Sequence, residues 1–89
     1  MAYKIVLTRS AIKELGGLSS KVHANVVKHL RRLENEPRGV GSEKLAGIEA
    51  YKLRVGNHRV IYEINDRNKE VRVVMVDDRK QVYRRLRKR

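Results

Sequence analysis

The sequence has no cysteine, no tryptophan, no phenylalanine and a single proline. Without cysteine there can be no disulfide framework, thiolate metal site or thiol nucleophile, a usage that fits the cytoplasm. Four tyrosines are the only aromatics, so the core must be built from Val, Leu and Ile. No apolar run approaches the ~18 residues of a membrane span. The opening MAYKIVLTRS has too short an apolar run for a secretory signal. Phosphate-cradling glycine loops, GxSxG and HExxH are all missing. Acidic residues are scarce, ten against 22 Lys and Arg, giving a net charge of +12 on 89 residues. So small and basic a chain reads as one domain, residues 1–89, whose partner is a polyanion: nucleic acid or an acidic protein, with no membrane role.

What the sequence does have is an alternating stretch, YKLRVGNHRVIY, from Tyr51 to Tyr62. Gly56-Asn57 is a two-residue hairpin turn, which sets Arg54 opposite Arg59 and Lys52 opposite Ile61. Tyr51, Leu53, Val55, Val60 and Tyr62 then share a core face, and Lys52, Arg54 and Arg59 share the other. Like charges placed directly across a sheet repel, so this cationic face reads as a seat for a polyanion. The alternative is a solvated face on which Asp77 and Asp78 neutralise the arginines.

Before the hairpin, Tyr3 to Thr8 alternates as a strand, and Ser10 can cap a short helix over Ala11 to Leu15 that Gly16-Gly17 stops. Ser19 or Ser20 caps a second helix, whose stripe is Val22, Val26, Leu30 and Leu33. Pro37 ends that helix near Asn35 or Glu36. The short break between the helices predicts an antiparallel pair. Residues 37–49 read as a loop with at most a fragment of structure. Asp66 to Lys69 makes a second turn into a strand from Val71 to Val76. Pairing outward from it sets Glu63 against Arg72, Tyr62 against Val73 and Val60 against Met75, which places Arg59 beside Val76. The fold class is therefore α+β, in the order β-α-α-β-β-β, an antiparallel sheet packed on an N-terminal helical hairpin. A short basic helix or tail follows, with seven Lys or Arg among residues 79–89, pinned through Val82 and Leu86.

Lys52, Arg54, Arg59 and Arg79 are candidates to converge near the sheet end, where guanidinium forks suit phosphate oxygens and the charge of a phosphorane. Tyr83, amid Arg84, Arg85, Arg87 and Lys88, is a stacking platform for a base or a ring packed on the core. Arg87, Lys88 and Arg89 read as a solvated end. His23, His29 and His58 have no second ligand at metal spacing, so no metal or cofactor is expected. Such a site does not readily activate water, but RNA brings its own nucleophile, the 2′-OH, and needs only a proton acceptor, a proton donor and cations. Neighbouring positive charge lowers a lysine's pKa, which makes Lys52 the candidate base.

KLAGIEAYKLRVGNHRVIYEI and VRVVMVDDRKQVYRRL together resemble the RelE/ParE toxin superfamily of toxin–antitoxin modules, over nearly the whole chain. The resemblance implies a ribosome-dependent endoribonuclease that cuts mRNA in the A site and leaves a 2′,3′-cyclic phosphate. It places the family's active-strand lysine on Lys52 and its second basic position on Arg54. The transition-state arginine falls on Arg59, the leaving-group acid on Arg79 and the stacking tyrosine on Tyr83. Two departures stand out: Arg54 replaces a lysine able to act as base, and Asp77-Asp78 replaces the Gly-His of many relatives. The partners implied are the ribosome, mRNA and an acidic RelB-like antitoxin held in a hetero-oligomer. Lys28, Arg31, Arg32, Arg84 and Arg85 would dock on ribosomal RNA. The rival readings are a ParE-type gyrase poison and a silent nucleic-acid binder.

Overall fold

A computed structural model describes residues 2–87, so the expectations for Lys88 and Arg89 lie outside the described residues. The elements are β1 (Lys4–Leu7), α1 (Arg9–Gly16), α2 (Ser20–Leu33), β2 (Ser42–Lys44), β3 (Tyr51–Val55), β4 (His58–Asn65), β5 (Glu70–Asp78) and α3 (Arg79–Arg87). The five strands form one sheet in the order β1-β5-β4-β3-β2. The α+β architecture expected from the sequence is the one observed, with two additions. β1 joins the edge parallel to β5, so the sheet is mixed, and a three-residue strand, β2, forms inside the expected loop.

Local sequence explains the helix starts. Thr8, not Ser10, caps α1, its hydroxyl accepting from Ala11 N at 3.2 Å, and Ser19 caps α2 by accepting from Val22 N at 3.4 Å. The two helices cover one face of the sheet. Val26, Leu30 and Leu33 of α2 and Ala11 of α1 pack there against Leu53, Val55, Val60, Tyr62, Val71 and Val73. Tyr62 is fully buried, gives its hydroxyl proton to Pro37 O at 2.6 Å and stacks on Tyr51 at 5.7 Å. At the rim, Asp66 accepts from Arg38 at 2.8 Å and from Tyr3 at 2.6 Å. Those bonds hold its carboxyl down to about 2.

α3 lies on the opposite face, where Val82, Ile61, Met75 and Ala50 form a second small core with Leu86 packed against it. The expected pinning of the C-terminal segment through Val82 and Leu86 is what the structure contains. None of the helices among the described residues is long and apolar enough to cross a membrane.

The hairpin pairs as its alternation requires, Lys52 with Ile61 and Arg54 with Arg59, and Gly56 turns the corner at φ +59°. The β4–β5 register departs from expectation. Glu63 meets Arg72 and Tyr62 meets Val73, but a bulge follows, so Ile61 meets Met75, Val60 meets Val76 and Arg59 meets Asp77. Val74 is the extra residue. A bulge reverses the alternation beyond it, and this one turns Asp77 toward the same face as Arg59.

Candidate functional site

The second face of the sheet is not a solvated cationic surface. Tyr83 of α3 reaches across it and accepts a hydrogen bond from Lys52 Nζ at 2.7 Å, the ammonium lying 5.0 Å from the ring centre. Glu43, on β2, pairs with the same ammonium at 3.0 Å because the β2–β3 register sets it directly across from Lys52. Lys52 is 9% exposed. The bond to Tyr83 raises its pKa against the lowering by burial, and the bond to Glu43 adds to the rise. Both partners favour the charged form of Lys52, a direction opposite to the lowering expected from neighbouring cations. The same bond and charge pull the Tyr83 phenol down, with Arg59 adding a smaller pull.

Arg59 is 6% exposed. It curls back over the hairpin turn, Nη1 donating to Gly56 O at 2.9 Å and to His58 O at 2.8 Å. Its Nε is buried with no partner among the described residues. A guanidinium held out of water with an unsatisfied N–H carries an unmet demand for an acceptor. Arg54, directly across the sheet, is exposed.

The structure thus brings Lys52, Arg59 and Tyr83 together, with Arg54 at their edge. Arg79 stands apart. Its backbone N donates to Asn57 O at 3.0 Å, and its side chain joins Lys80 and Arg84 in a depression that Lys52, Arg59 and Tyr83 do not line. Asp78 caps α3 by accepting from Gln81 N at 2.9 Å. Asp77 pairs with Arg85 at 3.0 Å and not with Arg59. The same Arg85 amine meets Glu14 at 2.7 Å, so Arg85 fastens α3 to α1 and β5 instead of presenting a free cation. The other carboxylate oxygen of Glu14 accepts from Val76 N at 2.8 Å, beyond the stretch of β5 that β1 covers. Lys28, Arg31 and Arg32 are exposed on α2, across the sheet from Lys52, and have no ion pair among the described residues.

Sequence reasoning missed Glu43 and Glu14. Glu43 sits in a three-residue strand too short to alternate, and Glu14 acts through a backbone N–H that only the sheet topology exposes. The one available signal was the need of a buried lysine for a counter-charge.

Residues 5–83 match the family model described as the ParE toxin of the type II toxin–antitoxin system parDE. Toxin RelG of Mycobacterium tuberculosis is 34% identical over 89 residues, which span 96% of this chain and all of RelG. The toxin–antitoxin complex RelBE2 from the same organism matches with a TM-score of 0.81 at 27% identity, over 89% of this chain and 100% of that one. The isolated E. coli RelE toxin matches at 0.78 and 29%, over 98% and 97%. A family model that spans residues 5–83 and a relative 34% identical over 96% of this chain converge on one assignment: the chain belongs to the RelE/ParE superfamily of type II toxin–antitoxin toxins.

Proposed function

We propose that this toxin is a RelE-type endoribonuclease that cuts mRNA on the ribosome by turning the message's own 2′-OH on the adjacent phosphate. The observation that carries the reading is the cluster itself: a buried ammonium and a buried guanidinium with an orphaned N–H, flanked by one carboxylate and one phenol. A phosphate drawn to the cluster is held by the charges of Lys52 and Arg59. Glu43, the anion of the cluster, accepts the 2′-OH proton as the 2′-oxygen bonds to phosphorus. Lys52, Arg59 and the exposed Arg54 carry the extra negative charge of the phosphorane. Tyr83, its phenol acidified by Lys52, gives its proton to the departing 5′-oxygen and remains as a tyrosinate held by the ammonium. The products are a 2′,3′-cyclic phosphate and a 5′-hydroxyl.

Arg79 and Arg84 hold phosphates further along the strand, while Lys28, Arg31 and Arg32 dock on ribosomal RNA. The ribosome supplies the alignment, which allows a carboxylate to serve as base. The partner that keeps the toxin inactive is an acidic antitoxin.

Primer extension on an mRNA in a cell-free translation reaction tests this. Wild-type protein should cut within codons only when ribosomes are present, and Arg59→Ala/Arg79→Ala should not cut. Intact message with toxin in excess over ribosomes would overturn the reading, and double-strand breaks in gyrase-bound DNA would place the chain in the gyrase-directed branch.

A further inference from the structure

Opposite charges set directly across two strands attract each other, and one such couple in this sheet does not pair. The β4–β5 register places Asp77 across from Arg59, on the face that α3 covers. No ion pair joins the two among the described residues. Arg59 instead directs its Nη1 at the neutral carbonyls of Gly56 and His58. Asp77 is engaged elsewhere at both oxygens. Its Oδ1 accepts from Asp78 N at 2.9 Å and its Oδ2 from Arg85 Nη1 at 3.0 Å.

Arg85 is held in place by a chain of contacts that starts in the sheet. Val76 N donates to Glu14 Oε1 at 2.8 Å, and Glu14 Oε2 lies 2.7 Å from the same Arg85 Nη1 that meets Asp77. Glu14 thus steadies the guanidinium from α1 while Asp77 meets it from β5. All three side chains are half-buried. The helix that carries Arg85 is already pinned to the sheet through Val82 and Leu86, so the charged trio adds something besides attachment. What it adds is a place for Asp77 to go. Facing residues in a sheet have Cβ atoms roughly 4.5–5.5 Å apart, close enough for a free Asp77 carboxylate to meet the Arg59 guanidinium. Such a pair would cancel the charge that a phosphate has to meet, whereas the two backbone carbonyls leave it whole.

We propose that Arg85 is a positioning residue that draws Asp77 away from Arg59 and so keeps the Arg59 charge available to the scissile phosphate. The exchange of partners rests on the geometry of the fold, and its effect on the reaction rests on the RNA-cleavage reading. Arg85 itself touches no reacting atom and acts through Asp77. The aspartate that stands where many relatives have glycine is in this way made compatible with a cationic site.

The test combines NMR of the arginine side-chain N–H groups in the full-length toxin with single-turnover cleavage on mRNA-programmed ribosomes. The Arg59 signals are identified by their loss in Arg59→Met. Two neutral replacements, Arg85→Gln and Arg85→Met, should move the Arg59 N–H signals downfield as Asp77 turns to it, and should slow cleavage by roughly 10–10²-fold. Circular dichroism should stay that of the wild type. Adding Asp77→Ala to either replacement should return the Arg59 signals to their wild-type positions and cleavage to within roughly threefold of wild type. A residue that merely fastened α3 predicts the reverse, since removing Asp77 as well loosens the helix further. Arg59 signals unmoved in both Arg85 variants, or no recovery in the double variants, would overturn the proposal. If the cleavage reading alone is wrong, wild-type toxin leaves the message intact while the Arg59 signals still follow the substitutions.

Discussion

Replacing Arg59 with methionine should make this protein more stable and inert. Arg59 sits 94% out of water with Nε unpartnered, and an orphaned buried donor costs about 1–3 kcal/mol. Desolvating the guanidinium costs several kcal/mol more. The two bonds from Nη1 to Gly56 O and His58 O return about 1.5–3 kcal/mol each, as bonds to a charged donor do. Gly56 is exposed and His58 half-buried, so both carbonyls can turn to water once the guanidinium is gone. Methionine keeps a long unbranched stem that can fill the vacated space. The balance favours the variant by about 1–2 kcal/mol, which for a chain of 89 residues is roughly 4–8 °C in Tm per kcal/mol. Urea unfolding of wild type and Arg59→Met at neutral pH measures the difference directly, and the same samples serve a cleavage assay. A midpoint that falls instead of rising would refute the reasoning, because Arg59 would then be a structural residue and its burial no sign of a site kept for an anion.

Four further outcomes follow from the same geometry. On alkaline titration Tyr83 should ionise before Tyr62, since the Lys52 bond lowers the one and burial raises the other; ¹³C NMR at the tyrosine Cζ carbons reads the order, and co-titration of the two would contradict it. The stability that the raised Lys52 pKa confers is fully present below the ordinary lysine value and is lost as pH rises through the folded one, so Lys52→Met should flatten the alkaline limb of a Tm–pH curve. Tyr62→Phe leaves Pro37 O without its buried donor and should cost about 1–3 kcal/mol in urea unfolding. Glu43→Gln keeps the shape of β2 but removes the proton acceptor; single-turnover cleavage should fall by roughly 10²–10⁴-fold with little change in ribosome binding.

How much of this was legible in the sequence varies with the element. The hairpin register was, because Tyr51 to Val55 alternates and Gly56-Asn57 fixes the turn. The β5 register was not: in Val71-Arg72-Val73-Val74-Met75-Val76 both faces are apolar beyond Arg72, since α3 covers one and the N-terminal helices the other. A slip of one residue leaves no trace in such a pattern, and Arg59 therefore fell beside Val76 when it belongs beside Asp77. The identities of Lys52, Arg59 and Tyr83 could be read, but their state could not. Burial beneath α3 and the bond to Glu43 come from contacts 31 residues apart in sequence in the first case and from a strand too short to announce itself in the second. Arg85 shows the same limit, since only the fold reveals that Glu14 and Asp77 meet around it.

The measurement that bears most directly on the central claim uses ribosomes programmed with an mRNA carrying a single 2′-deoxynucleotide at the position cut in the all-ribose message. The account predicts that wild-type toxin cuts the all-ribose message to a 2′,3′-cyclic phosphate and a 5′-hydroxyl and leaves the deoxy-substituted message whole while binding it as tightly. Cleavage of the deoxy message at the same site and rate would contradict it, because the nucleophile would then have to come from somewhere other than the RNA.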